Sequence, residues 1–471
     1  MKKRIFSLLL VVAMVFSLNT FAFAEESTAK TSATRPDSFI AVQLNGEYLI
    51  FPDMKPEFKN DTTYMPLRAF LEALGAEASY NNATGIVTAT KDDLKIESRI
   101  GSTRVMVTEN GKAKIVETSS APYISNGRTM IPVRYASEIF GFNVGYDNSE
   151  KTVVIIDTSK IADSFTDSFT LINKYMALSK KIIGEKKAFN GTMDIAITDK
   201  ITEGSPVIKA TGTFDSVISQ TKADMNVTLN FDEKALAAVM SEESEESQKL
   251  ILDVLSNLKM NLLMDINEGT YYYQYPSVAP LMGYSSNTWF KLDMNSLLEA
   301  SGISMSMQSL VSLNNEGFEN LMGKAFSCST PTSVNDYKDM LAAVSMIETM
   351  LGDSAFRKVG DNYLSTYETT YKGTDIAISI KLLMDSSNVN GYEISATVKD
   401  SSSLSLSLTS KLDSKLNSTL DMTFGVPDVM DMSLNMNAQY SDTTKTPTGK
   451  PADGSEIIDL ASILLGTTTQ Y

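Results

Sequence analysis

Residues 420–439 read LDMTFGVPDVMDMSLNMNAQ, and their alternation decides the fold class. Leu420, Met422 and Phe424, then Met430, Met432, Leu434 and Met436, fall on every second position. Asp421, Thr423, Asp431, Ser433, Asn435 and Asn437 stand between them. Side chains alternate faces along a strand, so this period of two predicts antiparallel strands with one apolar and one wet face. The pattern extends outward on both sides. Met193/Ile195/Ile197, Ile208/Ala210/Phe214, Met225/Val227/Leu229/Phe231 and Met260/Leu262/Met264/Ile266 lie before a mostly helical interval at about 295–351. Ile376/Ile378/Ile380/Leu382/Met384, Ile394/Ala396/Val398 and Leu404/Leu406/Leu408 lie after it. Nine such strands joined by short polar turns predict an α+β chain whose region 163–471 is one large curved antiparallel sheet, half-barrel-like. Helices near 163–183, 233–258 and 335–351 are available to cover its apolar side.

Register follows from the same alternation. A one-residue slip would bury Asp431, Asn435 and Asn437, at about 1–3 kcal/mol for each unpartnered group. The expected register puts Met225, Met260, Met264, Met422, Met432 and Met436 on the concave apolar face. Methionine is concentrated here, with 19 of 25 at or beyond Met176. Its flexible, polarizable side chain suits surfaces that accept varied apolar partners. Two readings stay open at this point: a groove for a lipid or other apolar ligand, or a core filled by the protein's own helices.

The N-terminal part is a duplication between about residues 40 and 157. Thr63-Tyr64-Met65-Pro66-Leu67-Arg68, with Glu72, Gly75 and Tyr80-Asn81-Asn82, returns 66 residues later. The second copy reads Thr129-Met130-Ile131-Pro132-Val133-Arg134, with Glu138, Gly141 and Tyr146-Asp147-Asn148. Pro66 and Pro132 suit a helix start, and Gly75 and Gly141 a helix stop, so helices are expected near 66–75 and 132–141. Strands at Ile86–Thr90 and Val153–Ile156 would complete a strand–helix–strand unit in each copy. Arg68/Glu72 and Arg134/Glu138, at i,i+4, read as ordinary helix-surface pairs.

On the run NGRTMIPVRYASEIFG with its following YD and KTVVI, residues 39–158 resemble the copper amine oxidase-like N-terminal (stalk) domain of exported proteins of Gram-positive bacteria. The first copy matches more loosely, with Lys59-Asn60-Asp61 in place of the Asn-Gly-Arg turn. The resemblance implies a spacer or interaction module and no copper chemistry, since the oxidase's metal and quinone belong to a catalytic domain that has no counterpart here. The layout of 163–471 resembles the lipoprotein-carrier half-barrels (LolA/LppX-like), which implies an apolar ligand, although no lipidated N-terminal cysteine is present.

Composition sets the exclusions. There is no histidine, so His-based triads and His-ligated metal sites are impossible, and the single cysteine (Cys328) allows neither a disulfide nor a CxxC pair within the chain. The formal charge of −16, without basic clusters, argues against nucleic acid. Lys2-Lys3-Arg4, the apolar stretch Ile5–Leu18 and Ala22-Phe23-Ala24 read as an export signal over residues 1–24, followed by a flexible polar leader over 25–38. No later stretch has the roughly 20 apolar residues of a membrane span. No GxSxG, P-loop or GxGxxG follows a strand, Met282–Ser286 reads as a turn, and the acids at 242–246 read as a solvated helix face. The expectation is a secreted, non-catalytic envelope or cell-surface protein without cofactor or metal. Its expected partners are an apolar ligand or lipid and a cell-wall or surface protein. The alternatives are a structural or adhesive protein with a filled core, or a carboxylate-based hydrolase.

Overall fold

The computed structural model describes residues 35–36, 38–51, 54–201, 207–239, 244–300, 306–308, 317–371, 374–400 and 404–460. The expected export signal and most of the leader lie outside the described residues. The chain divides into two compact units, Met1–Ser164 with Pro331–Met346, and Phe165–Thr330 with Ile347–Tyr471.

The first unit opens with β1 (Ala41–Leu44), β2 (Glu47–Tyr48), β3 (Glu57–Lys59), β4 (Thr62–Pro66) and α1 (Leu67–Ala73). It continues with β5 (Glu77–Asn81), β6 (Ile86–Lys91), β7 (Leu94–Arg99), β8 (Arg104–Glu109) and β9 (Lys112–Glu117). Then follow β10 (Tyr123–Ser125), β11 (Arg128–Pro132), α2 (Val133–Ile139), β12 (Asn143–Asp147), β13 (Thr152–Ile156) and α3 (Thr158–Ala162). The repeat offset holds element by element: β3, β4, α1, β5 and β6 recur as β10, β11, α2, β12 and β13. Pro66 and Pro132 end their strands with extended ψ values of 119° and 127° and cap the helices, where a missing N–H leaves nothing unpaired. Gly75 and Gly141, at φ +75° and +79°, then stop them. The looser turn of the first copy keeps the geometry of the second: Asn60 and Asp61 adopt φ 49° and 56°, Asn126 and Gly127 φ 47° and 73°.

The two copies meet where β4 pairs with β11, and the pair Met65–Ile131 joins equivalent residues, so a local two-fold runs through it. The copies also exchange strands. β1 of the first copy lies parallel to β13 of the second, while β8–β9 of the second copy joins the first copy's β5–β6 through β7. Neither copy therefore closes its own sheet, and one core, including Val42, Met65, Phe70, Leu71, Val105, Ile131 and Ile155, serves both.

A second difference from the sequence reading concerns residues 331–346, expected within the C-terminal region but packed in the first unit. The Val334 N–H donates to Asp147 Oδ2 at 3.1 Å, and the Pro331 carbonyl lies where a side chain at Gly145 would stand. Val154 and Ile156 on β13 are fully buried although they alternate with the core-facing Val153 and Ile155. Both faces of that strand are thus covered.

The second unit begins with α4 (Thr170–Gly184), β14 (Lys187–Asp199), β15 (Ile208–Ile218), β16 (Lys222–Phe231), α5 (Glu233–Val239) and α6 (Glu245–Leu255). Next come β17 (Leu258–Asp265), β18 (Thr270–Gln274), β19 (Trp289–Asp293), α7 (Met294–Ala300), α8 (Phe318–Ser327) and the end, from Ile347, of α9 (Asp336–Leu351), whose earlier residues belong to the first unit. The last strands are β20 (Arg357–Val359), β21 (Asn362–Tyr371), β22 (Thr374–Asp385), β23 (Asn388–Asp400), β24 (Leu404–Leu412), β25 (Asn417–Val426), β26 (Met430–Asp442) and β27 (Ile457–Asp459). They form one 14-stranded sheet in the order β20-β21-β22-β23-β24-β25-β26-β14-β15-β16-β17-β18-β19-β27, antiparallel except at β19–β27. Strands from both sides of the helical interval join at β26–β14, from Lys187–Asp442 to Asp199–Met430. The sheet is open, and the usual twist of about 20° per strand pair curls a sheet this wide into the half-barrel kind. The helix expected near 163–183 begins only at Thr170, and Phe165 and Phe169 precede it. Phe169 is fully buried against Phe165 and Phe318.

Three carboxylates fasten the start of α4. Asp353 accepts from Ser168 Oγ (2.8 Å), Thr170 N (3.1 Å) and Leu171 N (2.9 Å). Glu348 accepts from the Thr166 and Asp167 N–H groups, and Asp167 from the Ser354 N–H at 3.0 Å. Burial alone would raise Asp353 and Glu348, but the donors on each outweigh it and hold both below the ordinary carboxylate range. Asp167 is lowered mainly by Ser354. A depressed folded pKa contributes stability that is present above the unfolded value, near 4, and is lost as pH falls through the folded one. Acidification from pH 7 to 3 is therefore expected to lower the urea midpoint of the second unit. Asp353→Ala should cost about 1–2 kcal/mol at pH 7 and flatten that acid dependence. Identical pH profiles for the wild type and Asp353→Ala would contradict this assignment.

Candidate functional site

Residues paired across neighbouring strands share a face, so the pairings locate all six methionines. Met436 pairs with Leu420 and Met193, Met432 with Phe424 and Ile197, and Met422 with Leu408 and Leu434. Met225 pairs with Ser216 and Leu262, Met260 with Val227, and Met264 with Ala223 and Tyr271. Followed strand to strand, these rows fall on one face. Asp431, Ser433, Asn435 and Asn437 fall on the other, against Thr198, Ala196, Asp194 and Thr192 of β14.

The six do not form one patch. Met436 and Met422 are buried, and Met225 and Met260 are half-buried beside Phe214, Val227, Leu420 and Met436. Met264 belongs to a separate cluster with Tyr271, Met294 and Leu297, and half-buried Met432 lies in the row of Ile197 and Phe424 outside both clusters.

Helix cover divides this face into three zones. Over β21–β24, α4, α8 and α9 pack on it through Ile172, Leu178, Phe318 and Ile347 against Ile380, Leu382 and Leu412. Over β17–β19, α7 packs through Met294 and Leu297. Between them the cluster of Phe214, Val227, Leu420 and Met436, rimmed by Phe189, Met193, Met225, Leu229, Met260, Leu408 and Leu434, consists of strand residues only. α5 and α6, expected as cover, pack beside β15 and β16 and supply no described residue to that cluster. Among the described residues the site is thus an apolar floor between two helix-covered flanks, and it spans β24 to β17.

Sequence reasoning missed the aromatic part of this face. Tyr271 and Tyr273 on β18, Tyr363 and Tyr367 on β21, Tyr392 on β23 and Tyr440 on β26 all share it. The run Tyr271-Tyr272-Tyr273-Gln274-Tyr275 carried a strand signal that its polar hydroxyls masked. Burial pushes Tyr273 and Tyr440 up to about 12, so both hydroxyls stay neutral donors over the physiological range.

Residues 43–155 match the copper amine oxidase N-terminal domain. Over 159 residues the chain is 29% identical to a protein of Brevibacillus choshinensis named "Protease inhibitor", a stretch that covers 32% of this chain and 45% of that one. The chain thus matches a little under half the length of this relative. Among solved structures, a DUF1329 family protein from Desulfovibrio piger aligns over 60% of this chain and 96% of its own, at 12% identity and a TM-score of 0.21. Ail, the attachment invasion locus protein of Yersinia pestis, aligns over 55% and 97% at 6% identity and a TM-score of 0.10. Superposition that poor carries no argument about function.

The domain's name raises copper, and the residues do not fit it. The chain has no histidine, Cys328 is its single thiol, and no group of three acidic or thiol side chains among the described residues converges on a point. No described helix is long and apolar enough to cross a membrane, which says nothing about strands.

Proposed function

We propose that this chain is an exported, non-catalytic envelope protein whose large sheet binds an apolar ligand or lipid on the floor between its two helix-covered flanks. In this reading the duplicated module is the element that engages a cell-wall or surface partner. One observation carries the ligand reading. Among the described residues the floor cluster contains no helix residue, and Met193, Met225, Met260 and Leu434 stand only half-buried within it. Half-covered methionines on a broad apolar strip suit a ligand that supplies the missing contacts. Inhibition of a protease stays with the Brevibacillus relative, because no described loop here is singled out for it.

The test uses diphenylhexatriene, a hydrocarbon probe without a polar head. Saturable fluorescence enhancement is expected with the purified chain. Met193→Trp and Met225→Trp, which fill the floor without adding charge, should weaken it about tenfold or more, whereas Met106→Trp on the exposed face of β8 should leave it unchanged. Absence of saturable binding, or equal binding by the filled variants, would leave the structural reading of the sheet.

A further inference from the structure

We propose that one end of the large sheet docks on a lipid bilayer by apolar insertion, with the loop between β18 and β19 as its leading element. The inference goes beyond the ligand reading and does not depend on an occupant of the floor.

Exposed hydrophobic side chains are unevenly placed in the second unit. Connections in an antiparallel sheet alternate between its two ends, and the pairings put β14–β15, β16–β17, β18–β19 and β25–β26 at the same end. Among the described residues of this unit, eight large hydrophobic side chains are exposed, and seven belong to that end. Ile201 and Val207 flank the β14–β15 connection, Leu250 is on α6, Leu281 and Met282 lie between β18 and β19, and Val429 lies between β25 and β26. Ile457, which pairs with Trp289 at the start of β19, is the seventh. Val359, on β20, is at the other end. Two of the turns touch, since the Lys200 N–H donates to the Val429 carbonyl at 3.0 Å. Hydrophobic residues scattered singly need no explanation, but a row of them along one end does.

The β18–β19 loop is built to hold its apex out. A 3-10 turn, Ala279–Met282, is rooted by the fully buried Ala279. Gly283, at φ 83°, and a bond of 3.0 Å from the Tyr284 N–H to the Ala279 carbonyl close it. The Tyr284 ring packs edge-on against Phe290, with 5.5 Å between centroids. Leu281 and Met282 are left 49% and 61% exposed. From Gly269 to Phe290 no residue is charged, in a chain where 21% are, so no charge on the loop opposes insertion. Tyr275, Tyr284 and Trp289 flank the apex in sequence, and such rings, apolar with one polar edge, settle at headgroup level.

The spread of the tips over four connections favours a bilayer. A folded partner needs a matching pocket for each, whereas acyl chains yield to any arrangement. Charge fixes the mode of docking. Among the described residues of these connections, Asp232, Glu233, Glu245, Glu246, Asp253 and Asp428 outnumber Lys200, Lys234 and Lys249. Attraction to anionic lipid is therefore not the driving force, and docking relies on apolar burial. The same connections join β25 to β26 and β14 to β17 among the floor strands, so docking there brings the end of the floor to the lipid.

Trp289, the chain's single tryptophan, stands at the end of this loop and reports on it directly. The full chain is mixed with phosphatidylcholine vesicles whose acyl chains carry bromine. Saturable quenching of Trp289 is expected, undiminished at high salt and no stronger when phosphatidylglycerol is added. Leu281→Asp combined with Met282→Asp should weaken it about tenfold or more, because both tips must then leave the interface. Val359→Asp, at the other end of the sheet, should change nothing. All three side chains are exposed in the folded chain, so the substitutions spare the core. Vesicle flotation without quenching would place the contact elsewhere, as at the apolar stretch 5–18, and overturn the proposal. So would quenching that high salt abolishes, equal quenching of the double variant, or a lipid-free dimer that the double variant dissociates. None of these outcomes bears on diphenylhexatriene binding by the floor, which stands or falls by its own test.

Discussion

Gly145→Val is expected to destabilise the first unit by about 3 kcal/mol or more and to free residues 331–346 for proteolysis. A Cβ at Gly145 would overlap the Pro331 carbonyl oxygen and approach Pro331 Cα to 3.2 Å, and both are backbone atoms that cannot rotate away. The segment would have to lift. That breaks the bond from the Val334 N–H to Asp147 and uncovers the outer side chains Val154 and Ile156, which are fully buried. Exposing two large aliphatic side chains costs about 1.5–3 kcal/mol each when complete, and overpacking adds its own strain. The repeat supplies the control. Ser79 is the equivalent position in the first copy and is exposed, so Ser79→Val should change stability by no more than about 0.5 kcal/mol. Hydrogen exchange at β13 and limited proteolysis within 331–346 would register the difference. Equal behaviour of the two variants would show that the segment does not depend on Gly145.

Gly191→Val should have a comparable effect on the second unit. Gly191 lies on β14 opposite Ala438 of β26, at the seam that joins the two runs of strands. A Cβ there would overlap the Asn437 carbonyl oxygen and stand 2.8 Å from Ala438 Cα and Cβ. The valine must push β26 away from β14 or twist the ladder. Either response loses backbone hydrogen bonds in the middle of the sheet and disturbs Met436 and Phe214 on the floor. The loss expected is about 3 kcal/mol or more, read as a lower urea midpoint of the fluorescence of Trp289, the chain's single tryptophan, on β19. Because the seam adjoins the floor, diphenylhexatriene binding should fall as well. An unchanged midpoint would mean that the strands join less tightly than their pairing implies.

Much of this architecture was legible in the residues because short-range rules govern it. Alternation with period two assigned Met422, Met432 and Met436 to one face and Asp431 and Asn435 to the other. Register is enforced by the cost of burying a polar group, so each strand carries its own face assignment. The duplication was equally legible. Proline at the helix start, glycine at +75° or +79° at its end and a two-residue turn of positive φ are local devices, and they recur at the same spacing. Even Asn60-Asp61, which departs from the motif, keeps the turn, because both residue types tolerate the left-handed region.

What the residues left open depends on which elements become neighbours. Nothing in β1 or β13 specifies that the first strand pairs with the last of the second copy, since parallel partners at a distance of more than 100 residues share no local signal. The same holds for β26 and β14, and for residues 331–346, whose place is set by the space at Gly145. The candidate site lies on that side of the division. Alternation gives the apolar residues of each strand one face, but only tertiary packing decides that α4, α8, α9 and α7 cover its flanks while, among the described residues, the floor between them is made of strand residues. The Tyr175–Tyr392 ring pair has the same origin: the two are far apart in the chain, and docking of α4 on the sheet brings them together.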